Sequence, residues 1–236
     1  MKILRDHPSR PSNNIESTER IINDYILGKI GRREIKFKYD LICEAARKGS
    51  VLAEACLGHF FDDGIGVRKD LTKAIFWYRL AARHNNAYAQ SWLGYAYANG
   101  VGVKKSLAKA FFWDRKAARQ GYAVAQYSLG QAYAEGLGIS QNVSRAVWWW
   151  RKSALQGHAF GQCNLGKAYE TGVGVKRNLS EAIKWYQKAA DQGDAVAFYN
   201  LGRCFAEGFG VRKDKQKAIT WFRRAARAGF TKANSK

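Results

Sequence analysis

The residues able to do chemistry are few and poorly placed for it. His59, His84 and His158 have no Ser or Cys at a recurring or suggestive spacing, so no nucleophile and base can be paired from them. The carboxylates are equally thin, with Asp62 and Asp63 adjacent and Glu135, Glu170 and Glu207 falling one per segment of the chain. Cys43, Cys56, Cys163 and Cys204 include no CxxC and no metal-ligand spacing with the histidines, which argues against zinc. Gly64-x-Gly66 before Arg68-Lys69, and Gly100-x-Gly102 before Lys104-Lys105, look superficially like phosphate loops. A true one needs G-x-x-x-x-G-K-[ST] between a strand and a helix, and no window satisfies it. Nothing converges on a catalytic centre, so the expectation is a non-enzymatic protein with no cofactor and no metal.

What positions these residues is a repeat. Leu-Gly occurs at Leu57-Gly58, Leu93-Gly94, Leu129-Gly130, Leu165-Gly166 and Leu201-Gly202, a spacing of 36 without one insertion. After each comes an aromatic (Phe61, Tyr97, Tyr133, Tyr169, Phe205) and then paired glycines. The first glycine of each pair suits a left-handed helix C-terminus, so it ends a helix A. A helix B follows, with Ala74-x-x-Trp77, Ala110-x-x-Trp113, Ala146-x-x-Trp149, Ala182-x-x-Trp185 and Ala218-x-x-Trp221. Each Trp is followed four residues on by Ala-Ala or Ser-Ala, one packing stripe at helical spacing. Asn85, Gly121, Gly157, Gly193 or Gly229 then ends the unit. Five units follow, at 50–85, 86–121, 122–157, 158–193 and 194–229. Residues 15–49 repeat the pattern weakly and read as a degenerate capping helix pair. Residues 1–14 read as a flexible arm and 230–236 as a short tail.

The Trp series, on the same stripe as the alanines, is expected to be core. Three consecutive helical residues point about 100° apart, so Trp148, Trp149 and Trp150 cannot all be buried, and Trp148 is the candidate for exposure. Cys43 and Cys56 lie nearly equidistant from the turn at Gly49 and Ser50 and could face one another across a helical hairpin. Buried thiols are the expectation, since no secretory signal opens the chain.

These residues resemble the Sel1-like repeat family, whose pattern includes A-x-x-x-L-G-x-x-Y-x-x-G-x-G-V, then K-A-x-x-W-Y and A-A. The resemblance covers about residues 50–229. It implies an all-α fold, a right-handed α-solenoid of antiparallel helix pairs in 36-residue Sel1-like repeats, related to tetratricopeptide arrays and acting as an adaptor. It also implies which helix A positions face a concave groove. Those positions carry Tyr88 and Tyr95 in the second repeat, Tyr127 and Gln131 in the third, Phe160 and Lys167 in the fourth, and Tyr199 and Arg203 in the fifth. Aromatic and hydrogen-bonding, this is the composition of a face that binds a protein or peptide.

The chain carries 40 Lys and Arg against 19 Asp and Glu, a formal net charge of +21. The groove does not hold that excess: its two cations, Lys167 and Arg203, face five acids, Asp62, Asp63, Glu135, Glu170 and Glu207, a net of −3. The positive residues recur on helix B, as Arg79, Arg115, Lys116, Arg151, Lys152, Lys188, Arg223 and Arg224. They form a basic ridge that either keeps the array soluble or binds nucleic acid or an anionic membrane surface. A last helix B without a following helix A suggests a homodimer through its apolar edge. No segment reaches the roughly 20 apolar residues of a membrane span, and the expected setting is cytoplasmic.

Overall fold

The computed structural model describes residues 13–230, which form thirteen α-helices and no strand. The expected arm lies outside the described residues except for its last two, and of the tail only Phe230 is described. The helices fall into two compact units, one ending at Lys105 and one beginning at Ser106.

The first unit holds α1 (Asn13–Ile26), α2 (Arg32–Lys36), α3 (Tyr39–Arg47), α4 (Val51–Asp63), α5 (Leu71–Arg83) and α6 (Ala87–Asn99). The degenerate region is therefore three helices where a pair was expected, because its second half breaks at Phe37 and Lys38 into a single turn and a longer helix. Ile22, Ile35 and Ile42, one from each, are fully buried against Leu57 and Phe60. Arg32 and Asp63 make an ion pair across this cluster.

The second unit holds α7 (Leu107–Arg119), α8 (Ala123–Glu135), α9 (Val143–Leu155), α10 (Ala159–Thr171), α11 (Leu179–Ala190), α12 (Ala195–Glu207) and α13 (Lys215–Arg227). Each helix from α7 to α13 packs on the next.

Local chemistry sets the ends of these helices. Asp70, Ser106, Asn142, Asn178 and Asp214 each accept a backbone N–H in the first turn of a helix B, satisfying donors that the helix cannot. Every helix A from α4 to α12 ends on a left-handed glycine, Gly64, Gly100, Gly136, Gly172 or Gly208, where a side chain would be strained. The turn closing each repeat also runs left-handed, and at Asn85 a non-glycine residue adopts it, with φ of 66°.

The Leu-Gly pair has a packing cause. Each Leu is fully buried, and the Gly lets an aromatic ring of helix B lie on the helix A backbone. A Cβ would fall 2.7 Å from the Tyr78 ring at Gly58, 2.4 Å from Trp150 at Gly130, 2.8 Å from Tyr186 at Gly166 and 2.6 Å from Phe222 at Gly202. The ring that wedges here stands one residue after the repeated Trp. That corrects the expectation that the Trp series is core: Trp77, Trp113, Trp149, Trp185 and Trp221 are only half-buried. Trp148 is half exposed, as its angle on the helix required.

Buried glutamines tie consecutive repeats together. Gln90, Gln126 and Gln162 donate to the carbonyls of Ala82, Ala118 and Ala154 at 3.1, 3.2 and 3.3 Å, near the end of the preceding helix B. Glu54 stands in the same register and pairs instead with His84 at 2.9 Å. All four cysteines are free thiols, and burial pushes the Cys56 thiol up to about 12. Phe230 stacks on Tyr199 with ring centroids 4.4 Å apart. None of the described helices is long and apolar enough to cross a membrane.

Candidate partner-binding site

Within the second unit, the A helices α8, α10 and α12 turn one face away from their buried leucines. On it stand residues at intervals of three and four: Tyr127 and Gln131 on α8, Phe160, Asn164 and Lys167 on α10, and Val196, Tyr199, Asn200 and Arg203 on α12. Such spacing puts side chains on one helix face. Together they line an open cavity of about 410 Å³. An adjoining cavity of about 460 Å³ between α8, α9 and α10 shares Gln131, Asn164, Lys167 and Thr171 with it. Trp150 lines the second cavity, and its buried indole N–H has no hydrogen-bond partner among the described residues.

One wall is aromatic. Tyr127 lies 5.8 Å from Phe160 and 5.1 Å from His158 between ring centroids, and Phe160 is 55% exposed. Burial raises the Tyr127 hydroxyl above its ordinary value and lowers His158 below its own, so at neutral pH both rings are uncharged. Across the cavity, Tyr199 packs on Phe222 and Phe230.

The polar groups are arranged in pairs. Asn164 donates to Gln131 at 2.8 Å, and Asn200 donates to the Cys163 sulfur at 3.8 Å, a weak acceptor. Glu170 accepts from the Tyr186 hydroxyl at 2.6 Å and from Arg203 at 3.0 Å, so a fixed hydrogen-bonded triad replaces two free charges. Burial raises the Asp194 carboxyl, while bonds from the Ala197 and Val196 N–H groups oppose the rise. Lys167 is exposed at the rim and has no ion-pair partner among the described residues.

Six of the eight residues expected in the groove therefore meet around one cavity: Tyr127, Gln131, Phe160, Lys167, Tyr199 and Arg203. Tyr88 and Tyr95 stand on α6 in the other unit, 38% and 58% exposed, and do not line it. Asn164 and Asn200 were not anticipated. Their signal was an Asn immediately before two successive Leu-Gly pairs, a register that faces the cavity from its floor.

The basic ridge divides into two kinds of residue. Arg79 and Arg151 donate to the Tyr97 and Tyr169 hydroxyls at 3.1 and 2.9 Å, and Arg115 lies over Phe111, so these three pack. Lys116, Lys152, Lys188 and Arg224 sit over aromatic rings of their own helices, and Arg223 is exposed. Among the described residues no group of His, Cys, Asp and Glu could hold a metal ion.

This is an α-solenoid fold of antiparallel helix pairs in 36-residue repeats. The Sel1 repeat model matches residues 52–86, 87–122, 123–158, 159–194 and 195–230, and the chain belongs to the Sel1 repeat family. Proteins of this family are in general protein-interaction scaffolds and typically not enzymes. The fold is similar to that of a Sel1 repeat protein from Oxalobacter formigenes, with 34% identity and a TM-score of 0.82 over 93% of this chain and 91% of that one. It is also similar to c5321, a protective antigen of uropathogenic Escherichia coli, with 31% identity and a TM-score of 0.76 over 90% of this chain and 49% of that one. The immunity protein Pa5087 of Pseudomonas aeruginosa shares the fold at 21% identity and a TM-score of 0.56, over 94% of this chain and 85% of that one. No curated protein sequence matches the chain.

Proposed function

We propose that this protein is a scaffold that grips a polypeptide segment of a partner protein in the cavity between α8, α10 and α12. The observation that supports this reading is the make-up of the cavity walls. Aromatic rings from α8, α10 and α12 border a space of about 410 Å³, and amides with spare hydrogen-bonding capacity stand between them. Rings supply contact area at low conformational cost, and Asn amides match the donor and acceptor of a peptide bond. The unpaired Lys167 favours a segment with a carboxylate near its apolar anchor.

Selection of peptides from a random library against the wild-type protein, followed by binding measurements on Phe160→Ala and Lys167→Glu, tests this. Both side chains are exposed, so the variants should fold as the parent does. Selected peptides should bind each variant about ten-fold more weakly, the scale expected of a contact at an interface centre. Unchanged affinity in both would refute the cavity as the binding site.

A further inference from the structure

The outer helices of the second unit present a surface that the groove does not explain. Together α7, α9, α11 and α13 carry fourteen Lys and Arg and two acids, Asp114 and Glu181. Asp114 is buried, and Glu181 pairs with Lys184 at 2.8 Å. Asp191 lies just past the end of α11 and accepts from Gln187. A face whose only task is solubility mixes charges of both signs. This one holds like charges together at a cost in repulsion.

The same face exposes apolar groups in register with the cations. On α7 the stripe at i, i+4 and i+7 reads Phe112, Lys116, Arg119, and on α9 it reads Trp148, Lys152, Leu155. Phe112 is 42% exposed, Trp148 50% and Leu155 70%. Trp113 and Trp149 stand edge-on against Phe112 and Trp148, at 5.1 and 4.5 Å between centroids. The Lys116 ammonium sits 5.0 Å from the Phe112 ring and the Lys152 ammonium 4.2 Å from the Trp148 ring. On α11 and α13 the exposed-ring position is Lys184 and Thr220, and the cations Lys188 and Arg224 lie over the half-buried Trp185 and Trp221.

We infer that this aromatic and cationic stripe across α7, α9, α11 and α13 docks the protein on an anionic phospholipid surface. Trp and Phe prefer the level of the headgroups, where an apolar body and a wet edge are both accommodated. Lysines that lie along those rings keep their ammonium groups at the depth of the lipid phosphates. Single-stranded nucleic acid fits less well, because stacking needs an open ring face and here the protein's own cations occupy ring faces. Leu155, which has no ring to stack, is the most exposed of the stripe's apolar residues Phe112, Trp148 and Leu155.

Flotation with phosphatidylcholine vesicles, with and without phosphatidylglycerol at about one lipid in three, tests the inference, with Trp emission recorded in parallel. The wild type should float only with the anionic vesicles, with a blue-shifted emission and an affinity that falls as salt rises. One cation near such a surface contributes about five-fold, so Lys116→Gln, Lys152→Gln and Lys188→Gln together should weaken binding about 100-fold. Phe112→Ser, Trp148→Ser and Leu155→Ser together should weaken it at least about ten-fold with charge unchanged. Far-ultraviolet dichroism checks that both triple variants remain helical, and the lysine set alters only exposed side chains. Equal flotation with neutral and anionic vesicles, or binding untouched by the apolar replacements, would overturn the inference. So would a single-stranded oligonucleotide that binds more tightly than the vesicles and displaces them.

Discussion

Replacing Asp114 with asparagine should stabilise the protein, by an amount that grows with pH. The position lies 20 residues after a Leu-Gly glycine, where the other four repeats carry Tyr78, Trp150, Tyr186 and Phe222. In those repeats the residue is the ring wedged onto the glycine. Asp114 is 7% exposed and has no hydrogen-bond or ion-pair partner among the described residues. Burial alone pushes its carboxyl from 3.8 up to about 8. At neutral pH the folded chain therefore keeps a proton that the unfolded chain releases.

The sign follows from the proton count. Between the ordinary aspartate value and about 8, the folded state binds more protons than the unfolded one, so stability falls as pH rises. The stabilising contribution of the proton is complete below about 4 and is lost above about 8. Holding it at pH 7 costs on the order of 4 kcal/mol before relaxation, and small movements that admit water reduce this to about 2 kcal/mol. Asn keeps the shape and cannot ionise. Urea unfolding followed by helical dichroism at pH 5, 7 and 8.5 (about these values) should show Asp114→Asn more stable than the parent, with the gap widest at the highest pH. Asp114→Phe should gain a further ~1.5–3 kcal/mol over Asp114→Asn, the same at every pH, by placing a buried ring there. A gap that stays constant with pH would refute a buried, unpaired carboxyl at this place, whatever its size.

Gly130→Ala should be destabilising even though alanine favours a helix interior by about 1 kcal/mol. Its Cβ would stand 2.4 Å from the Trp150 ring, so a net loss of about 2 kcal/mol is expected from forced repacking. Gly31→Ala, with nothing within 4 Å of the added carbon and an ordinary φ of −88°, should leave the melting temperature nearly unchanged; equal effects of the two would remove the packing argument. Gln126→Leu should cost about 1–3 kcal/mol in urea unfolding. It removes the bonds that Gln126 makes to the Ala118 carbonyl and accepts from the Gln156 amide, at 3.2 and 2.7 Å, and a neutral result would mean that water replaces both bonds.

The helix pairs were legible because exact repetition averages out local ambiguity: one Leu-Gly is uninformative, and five at one spacing are not. That Tyr127, Gln131, Phe160, Lys167, Tyr199 and Arg203 share one cavity was legible for the same reason, since a helical register fixes which side chains share a face. Tyr88 and Tyr95 do not line that cavity, since shared register places residues on like faces of their own helices and does not by itself put them around one space. The three-helix form of residues 13–47 escaped detection because Ile22, Ile35 and Ile42 do not keep the Leu-Gly spacing. The Trp series misled for a related reason. Its regularity marks a fixed register, and register alone does not say how deep a side chain sits.

Depth is instead set residue by residue along helix B. Trp148, Trp149 and Trp150 are chemically identical, yet they are in turn half exposed, half-buried and pressed onto Gly130. The third position is the one that packing demands, and an acid there, as at Asp114, is costly. The first position is under no such demand, and the rings of Phe112 and Trp148, about half exposed, are held edge-on against the neighbouring Trp113 and Trp149. Packing demands a ring at Trp150 more than one at Trp148, so the exposed rings beneath lysines are the place where the docking inference and a folding role can be separated. If serine at Phe112 and Trp148 leaves the melting temperature within about 1–2 °C of the parent, a shift that corresponds to less than about 0.5 kcal/mol, while vesicle binding is lost, then the stripe serves docking and not folding. An equal loss of stability and binding would assign those rings to the fold.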